Sequence, residues 1–336
     1  MRRRELGLAA LAWLVVATAA LLVGSSALSV RDVAAVLGGG GDALSRAIVL
    51  DARLPSVLLA SVVGAMLAPA GAVVQGMTRN PLAEPYLLGV SGGASLGVAA
   101  VLAIAGSAPW HAGATSLGAF VGSLAALVVV TRVSSGAATA EGARHAPLLA
   151  GVVVNAVAAS ALMLAHALLE PLRSRDLLMW MMGGIVPGRL TEWGAVPVAL
   201  GLLATAWLAV SAARVNLLSL GDPEASTAGL DVASARRQLL VASSLAVASA
   251  VALSGMIGFV GLVVPHVVRR LVGGDARRVV PLCAVCGAAF VVVADAATRG
   301  LFGLVGSSLP VGAVTALVGG PFFLLAMRDA TRRGQP

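Results

Sequence analysis

Apolar runs close to 20 residues long, each free of charge, recur along the chain and are separated by short polar stretches. Leu54–Val74, Leu87–Ala105, Ala112–Thr131, Pro147–Leu169 and Pro310–Met327 are the clearest. As helices they can cross a hydrocarbon core of about 30 Å, and helices are the structures that keep every backbone polar group paired there. The full pattern predicts ten helices, near residues 6–28, 54–77, 87–105, 112–132, 147–169, 193–213, 239–256, 258–272, 279–297 and 310–328. Leu239–Leu271 is ambiguous: as one helix it would run about 50 Å at 1.5 Å per residue, too long for one ordinary crossing. Ser254-Gly255 and Gly258 supply a break, so two short spans are expected.

Arginine placement supports this division. With ten spans and both termini inside, 16 arginines fall on the cytoplasmic side and 7 outside. Merging the doubtful pair gives 10 against 13, contrary to the enrichment of basic residues in cytoplasmic loops. The expected class is therefore all-α, a polytopic membrane protein of ten transmembrane helices forming one domain over residues 1–336.

Composition agrees: of 336 residues 59% are hydrophobic and 11% charged, with mean hydropathy +0.96. Soluble domains carry about 25% charged residues. The run that follows Met1-Arg2-Arg3-Arg4 imitates a signal peptide, but among so many later spans it reads as an uncleaved first helix. The formal charge of +8 belongs to membrane topology rather than to a nucleic-acid partner. All 23 basic residues are arginine. Without lysine the chain cannot build a P-loop or a Schiff base, so any nucleotide is hydrolysed by a partner. Small residues at four-residue spacing, Gly64/Ala68 and Gly312/Ala316/Gly320, fit close helix packing and self-association in lipid.

The stretch RNPLAEPYLLGVSGGASLG (79–97) is hostile to helix yet lies between two spans. Pro81 and Pro85 lack N–H groups, so a turn is required. Gly89, Gly92, Gly93 and Gly97 then thin the following helix, either as a packing face or as a constriction on a transport route.

Residues 64–97, 253–282 (LSGMIGFVGLVVPHVVRRLVGGDARRVVPL), 309–324 (LPVGAVTALVGGPFFL) and 177–184 (LLMWMMGG) resemble the signatures of FecCD-type permease subunits of ABC importers for iron chelates, haem and cobalamin. The resemblance implies the type II ABC importer permease architecture: ten helices per subunit, a homodimer enclosing the pathway, and two cytoplasmic ATPase subunits that bind ATP and Mg. An extracytoplasmic binding protein would deliver the substrate. The chain itself would hold no cofactor or metal, and membrane lipid would be its surroundings. It also implies a cytoplasmic gate at Asn80, Pro81 and Leu82, with a second element before the fifth helix. There the sequence reads Arg144-His145, a departure from the small hydroxyl residues of the family.

The loop Arg214–Gln238 is the longest expected on the cytoplasmic side. Asp222-Pro223 signals an N-cap and first turn, Gly229 a stop, and Asp231 a second short turn ending at Arg236-Arg237. The resemblance makes this elbow the ATPase-coupling segment, carried by Leu220, Gly221, Asp222, Pro223, Glu224, Ala225 and Leu230. On the outer face it assigns Arg53 and Arg299 to docking of the binding protein. Arg299 is equally a helix partner for Asp295, four residues earlier.

Cys283 and Cys286 read as small buried hydrophobes, and His266 as a hydrogen-bonding core residue. Trp110, Trp180 and Trp193 fall where an interfacial aromatic belt belongs. The expected function is that of a passive translocation subunit in the cytoplasmic (inner) membrane. An ion-coupled secondary transporter is the alternative, disfavoured by the scarcity of titratable groups at mid-membrane.

Overall fold

Residues 3–24, 26, 28–104, 111–135, 140–190, 194–307 and 309–332 are described in the computed structural model, without side chains at 3, 111, 112, 140, 141, 143, 144, 190, 303–305, 325–327 and 329–332. Among the described residues all regular structure is helical. The order is α1 (Arg3–Ala20), α2 (Val30–Leu37), α3 (Ala43–Arg46), α4 (Leu54–Thr78), α5 (Val90–Ile104), α6 (His111–Ser134), α7 (Ala140–Leu168), α8 (Pro171–Met181), α9 (Ala195–Val210), α10 (Ala212–Leu220), α11 (Asp222–Thr227), α12 (Val232–Ser254), α13 (Val260–Val272), α14 (Ala276–Val305) and α15 (Val311–Arg332). A π-helical turn, Ala47–Arg53, joins α3 to α4, and a 3₁₀ turn, Pro85–Leu88, precedes α5.

Each expected apolar segment contains a helix, so the all-α membrane class holds. The boundaries move for local reasons. The first helix ends at Ala20 rather than near 28, and Ser29 starts a separate helix, α2, with a capping box shared with Asp32. Asp231 caps α12, which then runs unbroken to Ser254; the expected second short turn is simply its first turns. Ala43–Thr78, Gly113–Ser134, His145–Leu168, Val232–Ser254 and Ala276–Phe302 are long and apolar enough to cross a bilayer singly. α9 and α10, bent by 55° at their junction, add a sixth if taken as one span. α13 has 13 residues, about 20 Å of helix, and is short for a full crossing.

α4 is the centre of the bundle. A Cβ on Gly64 would lie 2.0 Å from the Gly287 carbonyl oxygen of α14, and one on Gly71 1.9 Å from the Gly261 oxygen of α13. Only glycine permits these backbone approaches, the arrangement small residues serve between helices in lipid. α5 meets α6 in the same way, through Gly93 and Gly97 against Gly122 and Gly118. Gly89 and Gly92 abut α7. The glycines of the 79–97 stretch therefore form packing faces within the subunit. α7 instead turns Leu149, Val152, Val153, Val157, Met163 and Leu164 outward.

Polar contacts sort into two ends. At one, Glu5 pairs with Arg278, Asn216 donates to Asp275 at 2.6 Å, and Arg214 donates to Gln238 at 2.7 Å. Arg53 and Arg299 gather at the other, against the C-terminal end of α1. Trp180 departs from the expected belt: it is 4% exposed, inside the bundle, and Gly255 packs on its carbonyl. Trp110 and Trp193 lie outside the described residues.

Candidate translocation gate and coupling surface

α4 ends because Arg79 adopts the left-handed region (φ 53°), and its N–H and that of Asn80 close on the carbonyls of Gly76 and Gln75. The Asn80 side chain then accepts the Leu82 N–H at 2.9 Å, an Asx turn that fixes Asn80-Pro81-Leu82 as a compact corner. Pro81 and Leu82 are exposed and Asn80 is half-buried. His145 is half-buried near the start of α7, while the Arg144 side chain lies outside the described residues.

Beyond the corner the chain folds back into the bundle and meets the gap between α12 and α13. The Glu84 carboxylate accepts the Phe259 N–H at 2.9 Å. Phe259 itself stands at φ +66°, costly for a residue with a side chain. The Tyr86 hydroxyl both donates to the Ile257 carbonyl at 3.0 Å and accepts the Ile257 N–H at 3.1 Å. Asn155 of α7 completes the arrangement by donating to the Tyr86 carbonyl at 3.0 Å and accepting the Gly92 N–H at 3.1 Å. Below it, Gln75 donates to the Gly261 carbonyl at 3.0 Å and accepts from Arg269. The backbone groups freed by the break are thus paired with side chains, as non-helical backbone at membrane depth requires.

The segment expected to serve coupling comprises α10, α11 and the start of α12. Gly221, at φ 143°, turns the chain between α10 and α11, with Pro223 in the first turn of α11. The expected N-cap role of Asp222 is not seen: Gly221 occupies that position, and Asp222 is the first helical residue. Its carboxylate takes two hydrogen bonds from Nη2 of Arg236 on α12, at 2.8 and 3.0 Å. Both side chains are about nine-tenths buried. Ala225 is buried behind this pair, whereas Leu220, Pro223 and Glu224 are exposed and Leu230 is half-buried. The exposed face belongs to a short rigid elbow.

A cavity of about 290 Å³ separates elbow from corner, lined by Gln75, Arg79, Pro81, Asn216, Ser219 and Arg269 among others. At its edge Asp275 caps α14. The Asn216 amide, with the Arg277 N–H, holds that carboxyl below the usual carboxylate range.

At the opposite end a second cavity of about 290 Å³ is lined by Arg53 and Arg299 together with Gly24, Ser26 and Phe302. Arg53 is only 4% exposed, its guanidinium held by the carbonyls of Leu21 (2.7 Å) and Ser26. Arg299 pairs with Asp295 (Nε to Oδ2, 3.0 Å) and reaches the carbonyls of Ala20 and Val23. The helix-partner reading of Arg299 is therefore realised.

With this geometry in hand, comparison with known proteins is decisive. The chain matches the FecCD transport family over residues 11–329. It belongs to that family. Among its relatives, the hemin transport system permease protein HmuU of Yersinia pestis is 40% identical over 289 residues, 84% of each chain. The cobalamin import system permease protein BtuC of Halobacterium salinarum is 38% identical over 309 residues, 88% of this chain and 77% of that one. A solved structure described as an inward-facing ABC transporter of metal-chelate type superposes with TM-score 0.83 at 27% identity, covering 98% of this chain and all of the other.

The segments that carry the FecCD resemblance converge in space. Glu84 and Tyr86 of the first reach Phe259 and Ile257 of the second. Cβ atoms placed on Gly312 and Gly319 of the third would lie 2.5 Å from the Met256 oxygen and 2.4 Å from Phe259. Gly183, from 177–184, also abuts Met256. Sequence reasoning missed Glu84 and Tyr86 as ties. The available signal was a carboxylate and a phenol set between two spans, where each needs a partner.

Proposed function

We propose that this chain is the translocation subunit of a binding-protein-dependent ABC importer in the cytoplasmic membrane, with its cargo an iron chelate, haem or corrinoid. The observation that carries this reading is the convergence of the family's segments on one discontinuous helix pair beside a fixed corner, within a chain related throughout to haem and cobalamin permeases. Two copies enclose the pathway, and ten crossings place both termini in the cytoplasm. The arginine-rich end bearing Arg79, Arg214, Arg236 and Arg278 faces inward, following the positive-inside rule. Two ATPase subunits dock on Leu220, Pro223, Glu224 and Leu230, while Gly221, Asp222 and Ala225 hold that surface in shape. Asn80, Pro81 and Leu82, with Arg144 and His145, form the cytoplasmic gate.

The cavity flanked by Arg53 and Arg299 marks the outer docking face. Arg299, its side chain one-fifth exposed, is the charge a partner reaches there, and its role is steering and register, while the buried Arg53 shapes the cavity wall. The subunit changes no bond in its cargo. Reconstitution in liposomes with the cognate ATPase and binding protein tests the reading with haem, a corrinoid and a ferric siderophore as cargoes. ATP-dependent uptake of one of them is expected. Uptake that ignores ATP and follows an imposed proton gradient would overturn it in favour of a secondary transporter.

A further inference from the structure

Glu84 and Tyr86 tie the Asn80–Leu82 corner to the gap between α12 and α13, and α12 begins at the coupling elbow. We infer that α12 is the rod that carries movement of the elbow to the corner, and that Glu84 and Tyr86 are the positioning residues that fasten its far end. This rests on the reading of the chain as an ATP-driven permease. Three observations support it.

The near end of the rod is fixed. Arg236, in the second turn of α12, donates through Nη2 to both carboxylate oxygens of Asp222, the first residue of α11, in a buried pair. Displacement of α11 therefore displaces α12. The rod itself is stiff and continuous. It runs 23 residues with Ser243, Ser244 and Ser249 among its buried positions, and contains no internal proline. It packs on α4, α6 and α9, along which a helix can shift as a body. The far end ends abruptly at Gly255 (φ +68°), and the next groups with unpaired backbone, Ile257 and Phe259, are taken by Tyr86 and Glu84. Only five residues separate Leu82, at the exposed tip of the corner, from Leu88, buried at the end of the 3₁₀ turn that precedes α5. Movement at 257–259 thus reaches the corner through three side-chain hydrogen bonds and a short length of chain.

Both ties leave a part-buried backbone group unpaired when cut, which is the expensive way to lose a hydrogen bond. The corner can follow the rod only while they hold.

The test uses the reconstituted importer and measures ATP consumed per cargo molecule transported, for wild type, Glu84→Ala, Glu84→Gln and Tyr86→Phe. Glutamine keeps the Oε1 acceptor for the Phe259 N–H, whereas alanine removes it. Tyr86→Phe keeps the ring and removes both bonds to Ile257. Glu84→Ala and Tyr86→Phe are expected to raise ATP per cargo by about tenfold, the factor equivalent to about 1.4 kcal/mol. Stimulation of ATP hydrolysis by the binding protein should persist, and Glu84→Gln should restore a ratio close to wild type. A merely structural tie would lower the amount of assembled complex and leave the ratio alone. An unchanged ratio in Tyr86→Phe, which fills the same volume, overturns the inference even if Glu84→Ala does not assemble. Wild type that imports nothing with ATP would instead refute the underlying reading.

Discussion

Cutting one side of the Asp222–Arg236 pair should cost more than removing both sides together. The two Nη2–carboxylate contacts are 2.8 and 3.0 Å, and the side chains are 10% and 9% exposed. At an effective dielectric constant near 20, unit charges about 4 Å apart attract by about 4 kcal/mol. Desolvation offsets much of this, so the pair as a whole adds little net stability. Removing a single partner is different: it strands the other charge and costs about 3–5 kcal/mol in a dry interior. Because the elbow adjoins the aqueous phase, water can reach the stranded group, and about 2–3 kcal/mol is the expected loss for Asp222→Ala or Arg236→Ala. The double variant should lose less than the two singles combined, with a coupling energy of about 2 kcal/mol. Denaturant unfolding of the purified permease in detergent, followed for all four proteins, gives that coupling directly. Single losses that simply add, within about 0.5 kcal/mol, would refute the claim that the two side chains fasten α11 to α12.

Replacing Asp222 and Pro223 together should uncouple ATP hydrolysis from uptake while the permease still assembles, measured by uptake and hydrolysis in the same vesicles; normal uptake would remove the elbow from the mechanism. Gly64→Leu should abolish stable assembly, because even its Cβ meets the Gly287 oxygen at 2.0 Å and overpacking costs at least about 1–3 kcal/mol; size-exclusion chromatography after membrane extraction reads this out. Arg299→Glu, which reverses the partly exposed charge at that cavity, should weaken docking of the binding protein and reduce its salt dependence; titration at two ionic strengths decides. The lowered pKa of Asp275 means that its contribution to stability is complete above the ordinary carboxylate value of 3.8 and is lost as pH falls through the lower folded value. Acid unfolding of Asp275→Asn should therefore lack that component, and a curve identical to wild type would contradict the assignment.

How far the sequence led differs from element to element. Charge-free apolar runs announced the membrane class directly, since nothing else in a chain of this kind accounts for them. Gly255 marked the break in Leu239–Leu271 because glycine is the residue that tolerates φ near +68°, whereas the second positive φ falls on Phe259 rather than on Gly258. The elbow was legible from Asp222-Pro223 and Gly229, although the role of Asp222 was not: capping is a local rule, whereas its partner Arg236 is 14 residues away. Likewise Glu84 lies 175 residues from Phe259, beyond any periodicity. Trp180 misled because a tryptophan near a span end suits an interface and a core equally, and only tertiary packing chooses. Arg53 was expected at the outer surface and is instead folded under the carbonyls that end α1, a contact no spacing within α4 could foretell.

The seams at Gly64 and Gly71 set a limit on how this subunit can change shape. Where two helices touch backbone to backbone, neither can rotate or slide by half a turn without driving a carbonyl into a Cα. Helices α4, α13 and α14 are thereby locked as one keel. Alternation between inward- and outward-open shapes must then be divided among the elements left outside that block, α12 and α7 among them.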